Sequence, residues 1–246
     1  KEAKVKTVGG DLTTIEARDG IFALCDAEFS TADGWSLGCV VHNAGQYAGI
    51  SSTNVDGLVG TPKKLGDGSL VDGEDGKTDF SYISYYQKLY GEAFIDICER
   101  SIVRMKAARE KHLEDGITYR GSIVGISSPG CNGAFRVTAG YDMPGSGKCI
   151  MEYTSRQYAI NLAPLGITCN VVVPGITRSD VWSALAEKRG STGDAFLEMM
   201  KNNRVPIKEI AEPSDIGDLI VFLSGTGGGR FMTGLSLRID GGLHLT

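Results

Sequence analysis

The sequence has no Cys-x-x-Cys pair, no surplus of positive charge, and no apolar run approaching the roughly 20 residues that cross a bilayer. Each absence removes a class of protein. Cys25, Cys39, Cys98, Cys131, Cys149 and Cys169 are scattered, several of them inside strand-like or helix-like apolar runs. They read as reduced core thiols rather than disulfides or metal ligands, in the cytoplasm or a reducing organelle interior. A formal net charge of −5 argues against nucleic acid or an anionic membrane surface as main partner. Prolines and tryptophans are few, 7 and 2, whereas 34 glycines punctuate the 246 residues. With 41% hydrophobic and 22% charged residues, the chain reads as one domain, 1–246, with a full core.

What is present centres on residues 120–177. A β-branched run, Gly121-Ser-Ile-Val-Gly-Ile-Ser-Ser128, ends in two hydroxyls. A helix-like segment from Lys148 to Leu165 follows, then a second buried-strand run, Ile167-Thr-Cys-Asn-Val-Val-Val-Pro-Gly175. Strand, helix and strand in this order form a βαβ unit with parallel strands and a right-handed crossover. Ligands of open parallel sheets bind outside the carboxyl ends of the strands. The fold expected is therefore α/β, a doubly wound, mainly parallel sheet.

Elsewhere the pattern predicts strands at 5–9, 36–41 and 235–239, and helices at 12–29, 80–111 and about 213–223, the last capped by Ser214 or Asp215. Residues 46–80, rich in Gly, Asp, Ser and Lys, read as a polar surface insertion; their Asp spacing does not fit a calcium loop. Trp182, Phe196, Met199 and Met200 suit either a lid over an apolar ligand or the core of a surface helix pair. Gly145-Ser-Gly-Lys148 is not a phosphate loop, because Asp142 and Cys149 stand where that motif needs Gly and Ser or Thr. No Gly-x-Ser-x-Gly elbow surrounds Ser127 or Ser128, which argues against a serine hydrolase.

Taken in order, these residues resemble the short-chain dehydrogenase/reductase family. Asn43-Ala-Gly45 is similar to the family's Asn-Asn-Ala-Gly turn, with His42 in place of the first Asn. Ile126-Ser-Ser128, Tyr141, Lys148, Pro174-Gly-Ile-Thr177 and Asp240-Gly-Gly242 follow in the family's sequence of motifs. Six residues separate Tyr141 from Lys148, a spacing similar to the enoyl-thioester reductase branch, although Cys131 stands where that branch has a second tyrosine. The family's helix asparagine is missing near Lys88 to Tyr90.

The resemblance implies NAD or NADP as cofactor and a small carbonyl or enoyl substrate. It implies Tyr141 as the acid-base group, Lys148 lowering its pKa and holding the ribose, and Ser128 orienting the substrate oxygen. It also assigns Asp11, Asn43, Ala44, Gly45, Lys148, Pro174, Gly175, Ile176 and Thr177 to cofactor binding. With Pro144, Gly145 and Gly147 between the two catalytic positions, the helix is expected to begin near Ser146, after an outward bulge. The family's Gly-rich phosphate turn has no counterpart before Asp11, so strands 1 and 2 of the sheet, roughly 50 residues, are expected upstream of Lys1. Helices 91–105 and 148–162 are expected to pair across a two-fold axis in a homo-oligomer. The competing expectation is a non-catalytic scaffold subunit that keeps the fold within a larger assembly.

Overall fold

The β-branched runs pair with one another. The computed structural model describes residues 4–30, 34–45, 81–131, 142–180, 182, 186–187 and 190–246. Its sheet contains β1 (Cys39–His42), β2 (Gly121–Ile126), β3 (Ile167–Pro174) and β4 (Ser236–Ile239), all parallel, in the order β1-β2-β3-β4. The two central strands are buried on both faces, which is why they read as continuous apolar runs and not as alternating ones.

Alternation along the backbone sends Ile123, Cys169, Val171 and Val173 to one face and Val124 and Val172 to the other. The first face is covered by α2 (Ser81–Tyr86), a π-helical segment (Gln87–Glu92), α3 (Ala93–Glu114) and α4 (Asp142–Leu162). Tyr86, Phe94, Met105 and Met151 supply its largest buried side chains. The second face is covered by α6 (Pro213–Ser224) through Ile216 and Leu223. Helices on both faces make this the doubly wound α/β arrangement expected from the sequence.

Between β3 and α6 lies α5 (Gly193–Arg204), whose Leu197 packs with Ile176, Val205 and Trp182. Trp182 stacks on the buried Phe196 at 5.9 Å and donates its indole N–H to Thr177 O at 2.7 Å. Both aromatics are therefore core of this segment, and Met200 packs against the same cluster. Met199 is exposed.

Four expectations are corrected. Residues 5–9 form no strand: Val5 and Val8 are exposed, and the stretch is tied to α1 (Ile15–Glu28) by charge instead. Lys4 and Lys6 each meet Glu28 at 3.0 Å. Secondly, β1 begins at Cys39, later than expected, and includes His42. Thirdly, α4 is continuous from Asp142, because Pro144 falls in the first turn, where a missing N–H removes no intrahelical bond. Finally, Glu212 is the N-cap of α6, and Asp215 bonds back to its N–H at 2.8 Å as the second half of a capping box.

One buried charge was not foreseen. Arg18 of α1, 2% exposed, donates to Asp96 at 2.6 Å, Glu92 at 3.2 Å and Leu12 O at 2.6 Å. It clamps α1 to the start of α3. The expected insertion at 46–80 and Tyr141 lie outside the described residues.

Candidate active site

Because all strands run the same way, the polar residues that end them come out along one edge of the sheet. β1 leads into Asn43, Ala44 and Gly45, β2 into Ser127 and Ser128, and β3 into Gly175, Ile176 and Thr177. The register sets His42 opposite Gly125, Ile126 opposite Val172 and Pro174 opposite Ile239. Gly175 donates its N–H to Ile239 O at 2.9 Å, and a Cβ there would lie 2.6 Å from the Asp240 Cα. That close approach demands glycine. Ile176 is buried, while Thr177 donates its hydroxyl to Gly175 O at 3.3 Å.

The second turn of α4 carries Lys148 against the end of β2. Its ammonium donates to Ile126 O at 2.9 Å and lies 4.5 Å from the centre of the Tyr90 ring. The residue is 7% exposed. Burial pulls its pKa down to about 8, although Cys131 and Glu152 push the other way. A buried lysine titrating near neutrality is the type of perturbed group that marks functional sites.

His42, 3% exposed, stands edge-on to Phe94 at 5.8 Å. Neither ring nitrogen has a hydrogen bond of ordinary geometry; only the backbone of His42 and Leu89 gives weaker support. Burial, then the Lys148 charge, pushes its pKa to about 4. The unfolded chain therefore takes up a proton near pH 6.5 that the native chain refuses until about 4, so stability is full above 6.5 and is lost as pH falls through that window. His42→Asn is expected to remove this term. Between pH 6.5 and 4.5 the variant's urea-unfolding free energy should fall by about 2 kcal/mol less than the parent's. Equal losses in both proteins would refute the assignment.

Below these groups, Glu152 is also buried. Ser127 donates its hydroxyl to Glu152 Oε1 at 2.5 Å, and Ser236 donates to Oε2 at 2.8 Å. Ser128 is half-buried. Asn43 and Ala44 line an apolar groove beside β1 together with Leu12, Phe22 and Val40. Asp11, just before Leu12, accepts from Thr13 N at 3.0 Å and turns the chain into α1; its charge also acts on Tyr85.

The residues proposed from the sequence thus fall into three places. Lys148 reaches the end of β2 at Ile126, two residues before Ser128, Asn43 to Gly45 lie at the end of the neighbouring strand, and Pro174 to Thr177 follow β3. Sequence reading missed Tyr90, His42 as a buried base, and Glu152. The signal for Glu152 was its place four residues after Lys148, one turn along the same helix face.

Residues 84–244 match the family model described as enoyl-(acyl carrier protein) reductase. The chain is 35% identical over 158 residues to a 2,3-dihydro-2,3-dihydroxybenzoate dehydrogenase of Bacillus subtilis, covering 63% of this chain and 58% of that one. It is 37% identical over 87 residues to an L-rhamnose 1-dehydrogenase (NAD(P)(+)) of Azotobacter vinelandii, covering 35% and 31% respectively. The ligand-free aldohexose dehydrogenase of Thermoplasma acidophilum superposes with a TM-score of 0.73 at 18% identity, over 100% of this chain and 80% of its own. The chain belongs to the short-chain dehydrogenase/reductase family. It spans at most 58% of the length of these two curated relatives.

Proposed function

We propose that the protein is an NAD(P)-dependent oxidoreductase that reduces a carbonyl or enoyl compound. The buried Lys148 ammonium at the strand end that carries Ser128 is the observation that supports this best. An ammonium has three donors, of which the Ile126 carbonyl takes one while the Tyr90 ring faces the cation. The remaining capacity fits the hydroxyls of a ribose. Asn43, Ala44 and the Pro174 to Thr177 segment are the further groups proposed to hold the dinucleotide, with Asp11 at its adenine end. The Azotobacter relative's name includes NAD(P)+, which supports the cofactor class.

When bound, the nicotinamide supplies the hydride. The protein's own task is the proton. Tyr141, with an ordinary pKa near 10, is a poor acid-base group at neutral pH until a nearby cation favours its phenolate. Lys148 is the cation proposed for that role, and Ser128 the group that orients the substrate oxygen. The chain is further proposed to act as a homo-oligomer through α3 and α4, whose Val103, Tyr153 and Ile160 are exposed.

The test is direct. The intact protein is titrated with NADH and NADPH by fluorescence, then assayed with ketones and enoyl thioesters at 340 nm (the absorbance of the reduced nicotinamide) while sedimentation records its mass. Binding of one dinucleotide and turnover of at least one substrate class are expected, in a species heavier than one chain. Failure to bind either dinucleotide would replace this reading with the non-catalytic scaffold.

A further inference from the structure

Glu152 has no part in the chemistry above, yet it is placed with care. Its carboxylate is 3% exposed, and its two oxygens go to different strands, Oε1 to Ser127 after β2 and Oε2 to Ser236 at the start of β4. A carboxylate taken out of water needs hydrogen bonds and an opposite charge. Lys148 stands one turn earlier on the same helix and feels its charge.

Together the two side chains grip consecutive residues of one strand end. Lys148 takes the carbonyl of Ile126, Glu152 takes the hydroxyl of Ser127, and the next residue is Ser128. Where the chain leaves the sheet is therefore set by two positions on α4. The other groups facing Lys148 are His42 from β1, the Tyr90 ring from the π-helical segment and Cys131 from the loop after β2. His42 is neutral above about 4, and burial pushes the Cys131 thiol up to about 12. Glu152 is thus the group of this set that brings negative charge.

On the oxidoreductase reading given above, we propose that Glu152 is a positioning residue: its carboxylate anchors Ser127, and through it Ser128, while its charge offsets the Lys148 ammonium. Two variants separate the two halves of this role. Glu152→Gln keeps the length and one accepting oxygen but removes the charge. Ser127→Ala keeps the charge but removes the anchor.

Lys148 is followed in the full-length, ligand-free chain by NMR of 15N-labelled lysine side chains, and turnover is measured against pH. In Glu152→Gln the Lys148 midpoint should fall by about one pH unit, and the basic limb of kcat/KM should move with it. Its kcat should fall about tenfold. In Ser127→Ala the midpoint should stay in place, while kcat falls about tenfold with little change in KM.

A Glu152→Gln protein with an unmoved lysine midpoint and pH profile would overturn the electrostatic half. Wild-type kcat in Ser127→Ala would overturn the anchoring half, and this variant carries the test alone should Glu152→Gln not fold. The titration needs no substrate. A shifted midpoint in a protein that transfers no hydride would sink the oxidoreductase reading, and the positioning role with it. Turnover and lysine midpoint indifferent to both variants would sink the proposal and leave the reading intact.

Discussion

Lys148→Met is expected to yield a protein that is more stable than the parent and inactive. The buried ammonium titrates at about 8 instead of 10.5, so the folded state holds its charge at a cost of about 3 kcal/mol. Methionine fills similar volume without the charge. The sign can be followed with pH. Below 8 both folded and unfolded chains carry the proton and the cost is fully present. Between 8 and 10.5 only the unfolded chain carries it, so the parent gains stability as pH rises. The advantage of the methionine variant in urea unfolding should therefore be largest at pH 7 and should shrink towards pH 10.5.

Turnover should move the other way, falling by about three orders of magnitude, with weaker dinucleotide binding because the same side chain is assigned to the ribose. Tyr141→Phe offers the contrast. It should lower turnover by about two to four orders of magnitude and leave dinucleotide affinity nearly unchanged, since acid-base help is given mainly in the transition state. A methionine variant with undiminished turnover would remove Lys148 from the mechanism. One less stable than the parent at pH 7 would refute the strain assigned to its burial.

Gly147→Ala is expected to be among the most damaging single-methyl changes in the molecule. A Cβ at this position would lie 2.2 Å from Tyr86 O and 2.8 Å from Tyr86 C. The obstacle is backbone, so no side-chain rotation relieves it. Alanine's advantage in a helix interior, about 1 kcal/mol, works against the clash and is much too small to offset it. A net loss on the order of 4 kcal/mol follows. Gly217→Ala supplies the control, because Gly217 lies in α6 with nothing within 4 Å of the added methyl. There the same change should stabilise by about 0.5–1 kcal/mol. Similar urea midpoints for the two variants would show that α2 and α4 do not approach as closely as described.

These two residues also show what the sequence could and could not disclose. Ile123, Val124 and the Val171 to Val173 run announce buried parallel strands by composition alone, because burial on both faces leaves no polar alternation to interpret. The order Ser128, Tyr141, Lys148, Pro174 was legible as a family pattern; of these, Ser128 and Pro174 stand at strand ends on one sheet edge, and Lys148 reaches that edge from α4. Lys148 as a buried group was not legible: its environment is built by Tyr90, Ile126, Cys131 and His42, which are up to about a hundred positions away in the chain. Pro144 and Gly147 pointed away from a helix because local propensity is blind to position. The proline falls in a first turn that needs no N–H, and the glycine answers a tertiary contact with Tyr86 that outweighs its poor propensity. Val5 and Val8 misled for the opposite reason, as β-formers with no strand beside them among the described residues.

The π-helical segment Gln87–Glu92 gives the protein a constraint on helical phase as well as on residue type. A π turn accommodates one residue more than an α turn in the same rise. Held to ordinary α-helix with the same count of residues, the segment would instead turn everything before it by about 100° relative to α3. Tyr86, whose carbonyl faces Gly147, and Tyr90, whose ring faces Lys148, would then lose their partners together. Substitutions at the exposed Gln87 and Lys88 can pass without disturbing that phase. An added residue left in ordinary α-helix would disturb it, so a lineage that keeps this site should hold the phase of the segment, and Tyr90 with it, more tightly than the exposed letters.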